Sequence, residues 1–448
     1  MKKTLAYCMA ILLTAVSLAG CAGDTSELDA EIEGLEQEEL RLRGELETAQ
    51  AEISDLESQY QKLLSDFTEQ QESATVIFED GYATGWNEGY YDGWDEGYYI
   101  GSAENSPVST LDMIMERGTM KCGIKESQYG MGYLDGSTGV RSGLDIEYCR
   151  AIAAAIGLNP DTDIEYIPAS GSDRFEKLSY GIIDVLIRTT TWTTSRDAGL
   201  NADFAGINFY DGQGIMVRSD FITAADAGNS AYGLDGANIC VGIGTTTEGN
   251  LQDWFSTSGI SFDSVSVADA AQANEMFIDG SCDAYTGDMS SLVAKKYTMV
   301  QNGDMSENGI WIAQETISKE PLAAVTRDYD SEWNEIVSWV WYAMVTAEEM
   351  GISSTNYGSA DTSDPSVDRL LYSNLGLGTD ANPLSSTWML NVLDWVGNYG
   401  EAYDRSFCDG SYDGVSGSDA MTGCLISRSG TYNALVSEGG LQYAPSMR

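Results

Sequence analysis

Apolar side chains recur at alternating steps of three and four residues along the first part of the chain. The positions are Leu28, Ile32, Leu35, Leu42, Leu46, Ala49, Ile53, Leu56, Tyr60, Leu63 and Phe67, and only Glu39 interrupts the seam. A 3.5-residue repeat of this length predicts a coiled coil. At about 1.5 Å per residue the segment is on the order of 60 Å long. We therefore predict a self-associating stalk over residues 21–75 rather than a single helix lying on a folded domain.

The hydrophobic pattern changes beyond residue 108, where short apolar runs alternate with amphipathic segments. Strands are predicted at 120–126, 163–170 and 182–192, helices at 143–158 and 173–181, and the alternation restarts at 237–255 and 282–297. Alternating strands and helices predict a parallel sheet. Ligands of such sheets bind outside the carboxyl ends of the strands. We expect an α/β fold with two small lobes.

A glycine repeat separates these two regions, within a segment that we assign to residues 76–107. The glycines are Gly81, Gly85, Gly89, Gly93, Gly97 and Gly101, and an aromatic residue follows almost every one. A helical repeat would place the glycines on one slowly drifting stripe, where helices approach closely. A sugar-binding aromatic platform and a non-helical spacer are the two alternatives.

The first 20 residues have the form of a signal peptide. Lys2 and Lys3 precede an apolar run that ends at Ala19 and is too short for a permanent transmembrane helix. The ending Leu18–Cys21 resembles the box that precedes the lipid-carrying cysteine of lipoproteins. We predict that Cys21 is lipidated and holds the protein at a membrane surface. The alternative is an ordinary signal peptide followed by an unmodified cysteine.

Charge and composition exclude several functions. The formal net charge is -47 with only 23 Lys and Arg, which disfavours nucleic acid as a partner. The sequence contains no histidine, and this excludes histidine-based catalysis and histidine metal sites. We expect no catalytic residue, no cofactor and no metal.

Six cysteines remain after Cys8 and Cys21 are set aside. An even number in an exported protein predicts disulfides, and six cysteines allow 15 connectivities. Pairing within candidate subdomains favours three bonds. They are Cys122 with Cys149, Cys240 with Cys282, and Cys408 with Cys424, the last with the weakest support.

Three loops at predicted strand ends carry candidate chemistry. In RTTTWTTSRD, short hydroxyl side chains lead to Arg196, whose guanidinium offers a fork to a carboxylate. In GTTTEGN, Thr245 and Thr246 open a predicted helix whose first amides suit an anion. In YTGDMSS, Asp288 suits an ammonium group. Together the three loops predict a receptor for a zwitterion. Taken singly, Arg196 could form a surface ion pair, and the other two loops could simply cap helices.

These motifs and their order resemble the periplasmic general amino-acid-binding proteins of polar amino-acid ABC importers. The matching stretches run from about residue 109 to 448 and include GLDIEYCRAIAAAIG, DRFEKLSYGIIDVLIRTTTWTTSRD, DFAGINFYDGQGIMVRSD, GIGTTTEGNL, CDAYTGDMSSL and ISKEPLAAVTRD. The resemblance implies the two-lobed type II periplasmic-binding-protein fold, with an L-amino acid enclosed between the lobes and delivered to the permease subunits of the importer.

The resemblance also implies roles for individual residues. Thr189 and Thr191 match first-lobe contacts to the ligand backbone, and Arg196 matches the carboxylate clamp. The amide of Thr246 matches the second-lobe contact, and Asp288 matches the ammonium partner. One further residue, Tyr133, falls where the family places an aromatic ring over the ligand side chain.

Two stretches depart from the family pattern. The loop from Glu126 to Tyr133 differs in amino-acid sequence from the same loop of the family. Glu126, Gln128 and Tyr129 are therefore expected to alter the preference for the ligand side chain. The acidic insertion 408–424 is also foreign to the pattern. Its aspartates do not fit a calcium loop of the EF-hand type, and we favour a surface loop closed by a disulfide.

The family crosses between its lobes near 210–218 and 318–325. Lobe 1 is therefore expected at about 108–212 and 324–448, and lobe 2 at about 213–323. The same fold hosts prephenate- or arogenate-type dehydratases, for which Glu126 is the one candidate acid. A stalked amino-acid sensor is a further alternative. We expect an exported, lipid-anchored receptor on the outer face of the cytoplasmic membrane.

Overall fold

The computed structural model describes residues 109–267 and 270–448, and scattered positions between 33 and 62. These scattered positions are helical, and they include one heptad residue, Leu42. The rest of the predicted seam, the signal segment with Cys21, and the glycine repeat lie outside the described residues, so these three predictions stay predictions. No helix among the described residues is long and apolar enough to cross a membrane.

The part of the chain from residue 109 onward contains twelve strands. They are β1 (Met120–Ile124), β2 (Ser127–Gln128), β3 (Gly132–Leu134), β4 (Arg141–Ser142), β5 (Ile164–Pro168), β6 (Val185–Leu186), β7 (Ala202–Arg218), β8 (Ala237–Gly242), β9 (Phe262–Val267), β10 (Ala284–Asp288), β11 (Ile310–Ile312) and β12 (Ser318–Arg327). Nine strands form one sheet in the order β5-β1-β6-β12-β7-β10-β8-β9, with β11 paired to β7. β2, β3 and β4 form a separate small sheet.

Eleven α-helices cover this sheet within the same part of the chain. They are α1 (Thr110–Arg117), α2 (Leu144–Ala155), α3 (Arg174–Ser179), α4 (Thr194–Gly199), α5 (Thr246–Ser258), α6 (Ala270–Asp279), α7 (Met289–Asn302), α8 (Ser331–Glu349), α9 (Pro365–Tyr372), α10 (Trp388–Trp395) and α11 (Tyr399–Phe407).

Two long antiparallel strands connect the two parallel parts of the large sheet. β1 pairs in parallel with β5 and β6, and β8 pairs in parallel with β9 and β10. Between them, β7 and β12 pair from Arg327 opposite Ala202 to Ser318 opposite Gln213. Both predicted crossing segments therefore lie on this pair of strands, while the lobe boundaries derived from them stay a prediction.

The predicted strand at 182–192 is much shorter in the structure. Only Val185 and Leu186 are in β6. Thr189 adopts a positive φ of 51°, a left-handed conformation that ends the extended backbone. The chain turns there and presents the following threonines as a loop.

Helix α8 is the centre of the larger hydrophobic core. Its residues Trp333, Val340 and Trp341 are buried, and they pack with residues of α2, α10 and α11. The indole of Trp333 donates to the carbonyl of Asp184 at 2.9 Å, so the helix is joined to the segment before β6. This packing holds β1, β5 and β6 in place behind the loops that follow them.

Three disulfides join the partners that the subdomain argument pairs: Cys122 with Cys149, Cys240 with Cys282, and Cys408 with Cys424. The last bond closes the acidic insertion. There, Asp409, Asp413 and Asp419 accept hydrogen bonds from different serine and threonine hydroxyls. Each carboxylate therefore stabilises the loop through its own hydrogen bonds. Among the described residues, no group of three or more cysteine or acidic side chains is arranged to hold a metal ion.

Candidate ligand-binding site

A cavity of about 520 Å³ lies where several strands end. Its wall includes Lys125 after β1, Ala169 after β5, Arg188 after β6, Thr245 after β8 and Asp288 at the end of β10. This is the edge at which α/β sheets bind ligands. The volume falls in the range of about 300–1,000 Å³ that is usual for small-molecule sites.

The loop after β6 brings Arg196 to the cavity. The hydroxyl of Thr193 accepts from the amide of Arg196 at 3.3 Å and so caps the short helix α4. One guanidinium nitrogen of Arg196 donates to the carbonyl of Thr191 at 2.9 Å. Thr189 and Thr191 line the same wall, and the amide of Thr189 donates to the carboxylate of Asp145 at 3.2 Å. These contacts leave the remaining donors of Arg196 available to a ligand.

The structure distinguishes two interpretations of Arg196, a surface ion pair and a contact to a ligand carboxylate. A surface ion pair would leave the side chain exposed and bound to a carboxylate. Instead Arg196 is 8% exposed, lies 5.7 Å from the ring centre of Phe175, and has no salt bridge to any residue in 109–267 or 270–448. Burial lowers the pKa of Arg196, while Glu320 and Asp288 oppose that change. A buried guanidinium without a carboxylate partner suits a carboxylate from a ligand.

The opposite wall begins with Thr245 and Thr246. Gly244 takes a positive φ of 68°, which turns the chain from β8 into α5. Thr245 does not cap this helix, because its hydroxyl donates to the carbonyl of Gly242 at 2.6 Å. The hydroxyl of Thr246 donates to Glu320 at 2.8 Å. The backbone amides of the first turn of α5 therefore lie at the cavity, and Thr245 does not cap them. Uncapped amides at the start of a helix favour the binding of an anion.

Asp288 ends β10 and precedes α7. Its side chain does not cap that helix, so the simple capping explanation fails here. Burial raises the pKa of Asp288 to about 7, and the carboxylates of Asp211 and Glu320 add to this rise. Lys125 and Arg188 act in the opposite direction. A partly desolvated carboxylate of this kind gains from an ammonium partner.

Tyr133 is the one predicted ligand-binding residue that does not line the cavity in the structure. It lies on β3, outside the cavity wall, with its ring centre 5.4 Å from that of Tyr129. Tyr129 in turn lies 5.4 Å from Tyr297. The pairing of β3 with β2 and β4 turns the ring of Tyr133 into this aromatic cluster. The predicted contact of Tyr133 with the ligand side chain stays a prediction.

The loop between β1 and β3 contributes other residues instead. Glu126 lines the cavity and forms an ion pair with Arg141 at 2.6 Å. Gln128 is buried, accepts a hydrogen bond from Lys125 at 2.7 Å, and donates to Ser290 at 2.9 Å. Gln128 therefore links the β1 loop to helix α7 across the site.

Glu320 on β12 connects both walls. It is 1% exposed and accepts hydrogen bonds from Thr191 at 2.6 Å, Thr246 at 2.8 Å and Asn250 at 2.8 Å. Ser318 on the same strand donates to it as well. One carboxylate thus joins the loop after β6 to the start of α5. Sequence reasoning missed this residue, because its role depends on donors that are distant along the chain.

Four basic residues in the wall were also missed: Lys125, Arg174, Lys177 and Arg188. Lys125 and Arg188 lie near the ends of the predicted strands 120–126 and 182–192, and Arg174 and Lys177 lie in the predicted helix 173–181. Their significance depends on burial and on which charges surround them, and neither is visible from spacing.

Comparison with known proteins decides the family. Residues 120–358 match the model of the bacterial extracellular solute-binding proteins, family 3. The chain belongs to this family. As a family 3 solute-binding protein it has the type II periplasmic-binding-protein fold, so the predicted fold class and the resemblance on which it rested are confirmed.

Named relatives of this family 3 protein bind amino acids. It is 39% identical over 342 residues to the glutamate/glutamine/aspartate/asparagine-binding protein BztA of Rhodobacter capsulatus, covering 76% of this chain and 94% of that protein. It is 38% identical over 349 residues to the general L-amino acid-binding periplasmic protein AapJ of Rhizobium johnstonii, covering 77% and 95%. A solved periplasmic binding protein of Brucella ovis with glutathione bound is 37% identical, with a TM-score of 0.66 over 76% of this chain and 100% of that one.

Proposed function

We propose that this protein is the extracytoplasmic substrate-binding component of an ABC importer and that it captures a polar L-amino acid in the cavity described above. The main observation in support is that Arg196 and Asp288 line the same cavity. Arg196 binds the ligand α-carboxylate together with the first amides of α5, and Asp288 binds the α-ammonium group. Thr189 and Thr191 supply further donors to the ligand backbone. The protein then delivers the amino acid to the permease subunits.

We propose binding without catalysis. The relatives named above are binding proteins, and the candidate acid for a dehydratase, Glu126, is engaged by Arg141. A calorimetric screen of the 20 common L-amino acids, together with prephenate and arogenate turnover, tests the proposal. Binding of at least one amino acid without turnover supports it. Turnover of prephenate or arogenate would replace it with the enzyme alternative.

We also propose that the protein is divided into two lobes. Residues about 108–212 and 324–448 would form lobe 1 and residues about 213–323 lobe 2, because β7 and β12 connect two parallel parts of the sheet. Closure around the ligand then joins contacts from both lobes, and a ligand that touches both favours the closed state.

We expect the affinity for an amino acid to depend on pH through Asp288. Below its pKa of about 7 the unliganded carboxyl carries a proton that it must lose to pair with an ammonium. The affinity should therefore fall about tenfold for each pH unit below 7 and be nearly constant just above it. Calorimetry between pH 5 and 7.5 measures this slope. Asp288→Asn should bind weakly and without the slope, and a slope that persists in this variant would assign the titration to another group.

We propose that the first part of the chain presents this receptor at the membrane. A signal peptide over residues 1–20, a lipid on Cys21, the stalk to residue 75 and the linker to residue 107 follow from the patterns in the sequence. We expect light scattering to show an oligomer for the mature chain and a monomer when residues 24–101 are removed, because the heptad seam is apolar. The same mass per particle in both would contradict association through the stalk.

A further inference from the structure

The C-terminal segment, defined as residues 431–448, follows the residues 120–358 that match the family model. None of its residues lines the cavity. It lies instead against the outer edge of β7, one of the two strands that connect the parallel parts of the large sheet. A contact with a connecting strand bears on motion between these parts rather than on the ligand itself.

Asn433 takes the place of a neighbouring strand beside Tyr210. Its buried side-chain amide accepts from the backbone N–H of Tyr210 at 2.7 Å and donates to the carbonyl of the same residue at 2.9 Å. The residue opposite Tyr210 on β12 is Pro321, which has no N–H to donate. One side chain thus satisfies both backbone groups that a strand would otherwise pair.

Gln442 makes a second contact at an irregular point of β7. The register between β7 and β12 shifts next to Leu322 and leaves Asn208 without a partner on β12. The buried side-chain amide of Gln442 donates to the carbonyl of Asn208 at 3.1 Å. A residue inserted into one strand of an antiparallel pair bends that strand. Gln442 therefore holds β7 at a point where the strand bends.

The C-terminal segment is itself fixed to buried helices. The hydroxyl of Tyr399 on α11 donates to the carbonyl of Asn433 at 2.6 Å. The indole N–H of Trp341 on α8 donates to the side-chain oxygen of Gln442 at 3.3 Å. Tyr399 and Trp341 belong to the larger hydrophobic core, which also contains residues of β1 and β6. The segment therefore joins β7 to the part of the protein that contains these strands.

The loop after β6 holds the outer edge of β12 in the same way. The amide of Trp192 donates to the carbonyl of Pro321 at 2.8 Å, and the amide of Ala323 donates to the carbonyl of Thr190 at 3.0 Å. Pro321 lies opposite Tyr210. Both outer edges of the connecting pair are therefore anchored to the same part of the protein, and the two anchors end at the same pair of residues.

The partner of β7 changes shortly after Tyr210. From Gln213 to Val217 its outer edge pairs with β10, which lies in the other parallel part of the sheet. Among residues 109–267 and 270–448, no strand other than β12 pairs with β7 before Gln213. Asp211 and Gly212 are thus the residues of β7 that lie between the C-terminal segment and β10.

We propose that the C-terminal segment is a brace on β7 that confines the bending of this strand, as the cavity opens and closes, to Asp211 and Gly212. The inference rests on the proposed function, in which the protein closes around an amino acid. A braced strand keeps one backbone conformation in the open and closed forms, so the unliganded protein has fewer conformations to lose. Less conformational entropy is then lost on closure, and the brace strengthens ligand binding.

Hydrogen exchange of the full chain tests the position of the bend. It is resolved to single amides and measured with and without the tightest ligand of the amino-acid screen, at exchange times too short for global unfolding to contribute. We expect removal of the ligand to speed exchange at Asp211 and Gly212, while the amides of residues 207–210 stay equally protected in both states. A ligand-dependent change that extends over residues 207–210 in the unsubstituted protein would overturn the brace.

Asn433→Ala and Gln442→Ala each remove one contact of the brace. Each is expected to weaken ligand affinity about tenfold, which corresponds to about 1.4 kcal/mol and to the cost of ordering about one backbone residue. Each should also spread the ligand-dependent exchange to residues 207–210. The deleted hydrogen bond is absent with and without ligand, so the difference between the two states reports on bending rather than on that bond.

Asn382→Ala is the matched control for these variants. Asn382 donates to Asp112 at 2.8 Å, and it lies outside the cavity wall. Its substitution should leave both the affinity and the exchange pattern as they are in the unsubstituted protein. Circular dichroism accompanies each variant, and Gln442→Ala decides the question if Asn433→Ala fails to fold.

The outcomes distinguish the brace from the proposed function. Unchanged affinity in the folded variants would overturn the brace and leave amino-acid binding intact. Weaker affinity with ligand-dependent exchange still confined to Asp211 and Gly212 would also overturn it, because the segment would then contribute to stability alone. Absence of binding of all 20 amino acids to the unsubstituted protein would overturn the proposed function together with the brace.

Discussion

Arg196→Ala is expected to abolish amino-acid binding, weakening the affinity by about a hundredfold or more. The ligand α-carboxylate would lose its guanidinium fork, and truncation of one partner in a buried charge pair costs about 2–5 kcal/mol. Each 1.4 kcal/mol corresponds to about a tenfold change in the dissociation constant. Isothermal calorimetry with the tightest ligand of the amino-acid screen measures the change.

The control for this substitution is Arg150→Ala. Arg150 forms an ion pair with Asp161 at 2.7 Å, lies on α2, and is outside the cavity wall. An exposed pair of this kind contributes about 1 kcal/mol or less to stability, so the affinity should be unchanged. Near-normal affinity in folded Arg196→Ala would contradict the assignment of Arg196 as the carboxylate clamp.

Glu320→Ala should have the second largest effect, on both stability and binding. The substitution removes the acceptor of four side-chain hydrogen bonds and leaves the donors of Thr191, Thr246 and Asn250 without it. Each buried group without a partner costs about 1–3 kcal/mol. We expect the free energy of unfolding to fall by about 3 kcal/mol or more, with a loss of ligand affinity, because both walls of the cavity are held by this carboxylate.

Denaturant titration and calorimetry measure these two effects, and Glu335→Ala is the matched control. Glu335 is an exposed residue of α8, where a substitution should change the free energy of unfolding by about 0.5 kcal/mol or less. Glu320→Gln adds a separate readout. Because the charge of Glu320 raises the pKa of Asp288, this variant should shift the pH dependence of binding to lower pH. Unchanged stability in Glu320→Ala would contradict the role of the residue as the link between the walls.

Part of the candidate site was predictable from the sequence. Thr189, Arg196 and Asp288 follow or end strands, and the carboxyl ends of parallel strands meet at one edge of a sheet. Their place in the cavity wall therefore follows from their place in the strand and helix pattern. Tyr133 lies outside the cavity wall, on the small sheet of β2, β3 and β4 and next to the ring of Tyr129, and the sequence does not contain this arrangement.

The other charged residues of the candidate site were not predictable from the sequence. Lys125, Arg174 and Arg188 are ordinary basic residues in the sequence, and one neighbouring lysine of the same wall, Lys177, is neutralised by an aspartate. Only three-dimensional proximity decides which cations are paired. Glu320 likewise gains its role from donors that lie up to 129 positions away along the chain.

The amino-acid sequence by itself determined the family, the α/β alternation, the absence of histidine chemistry, and the three loops whose residues line the cavity. These features depend on local periodicity and on residue type, which a sequence contains directly. The tertiary structure alone decided the place of Tyr133 outside the cavity wall, the junction at Glu320 and the contact of the C-terminal segment with β7. Burial and electrostatic pairing arise between residues distant in the chain, so they exist only once the strands and loops are brought together.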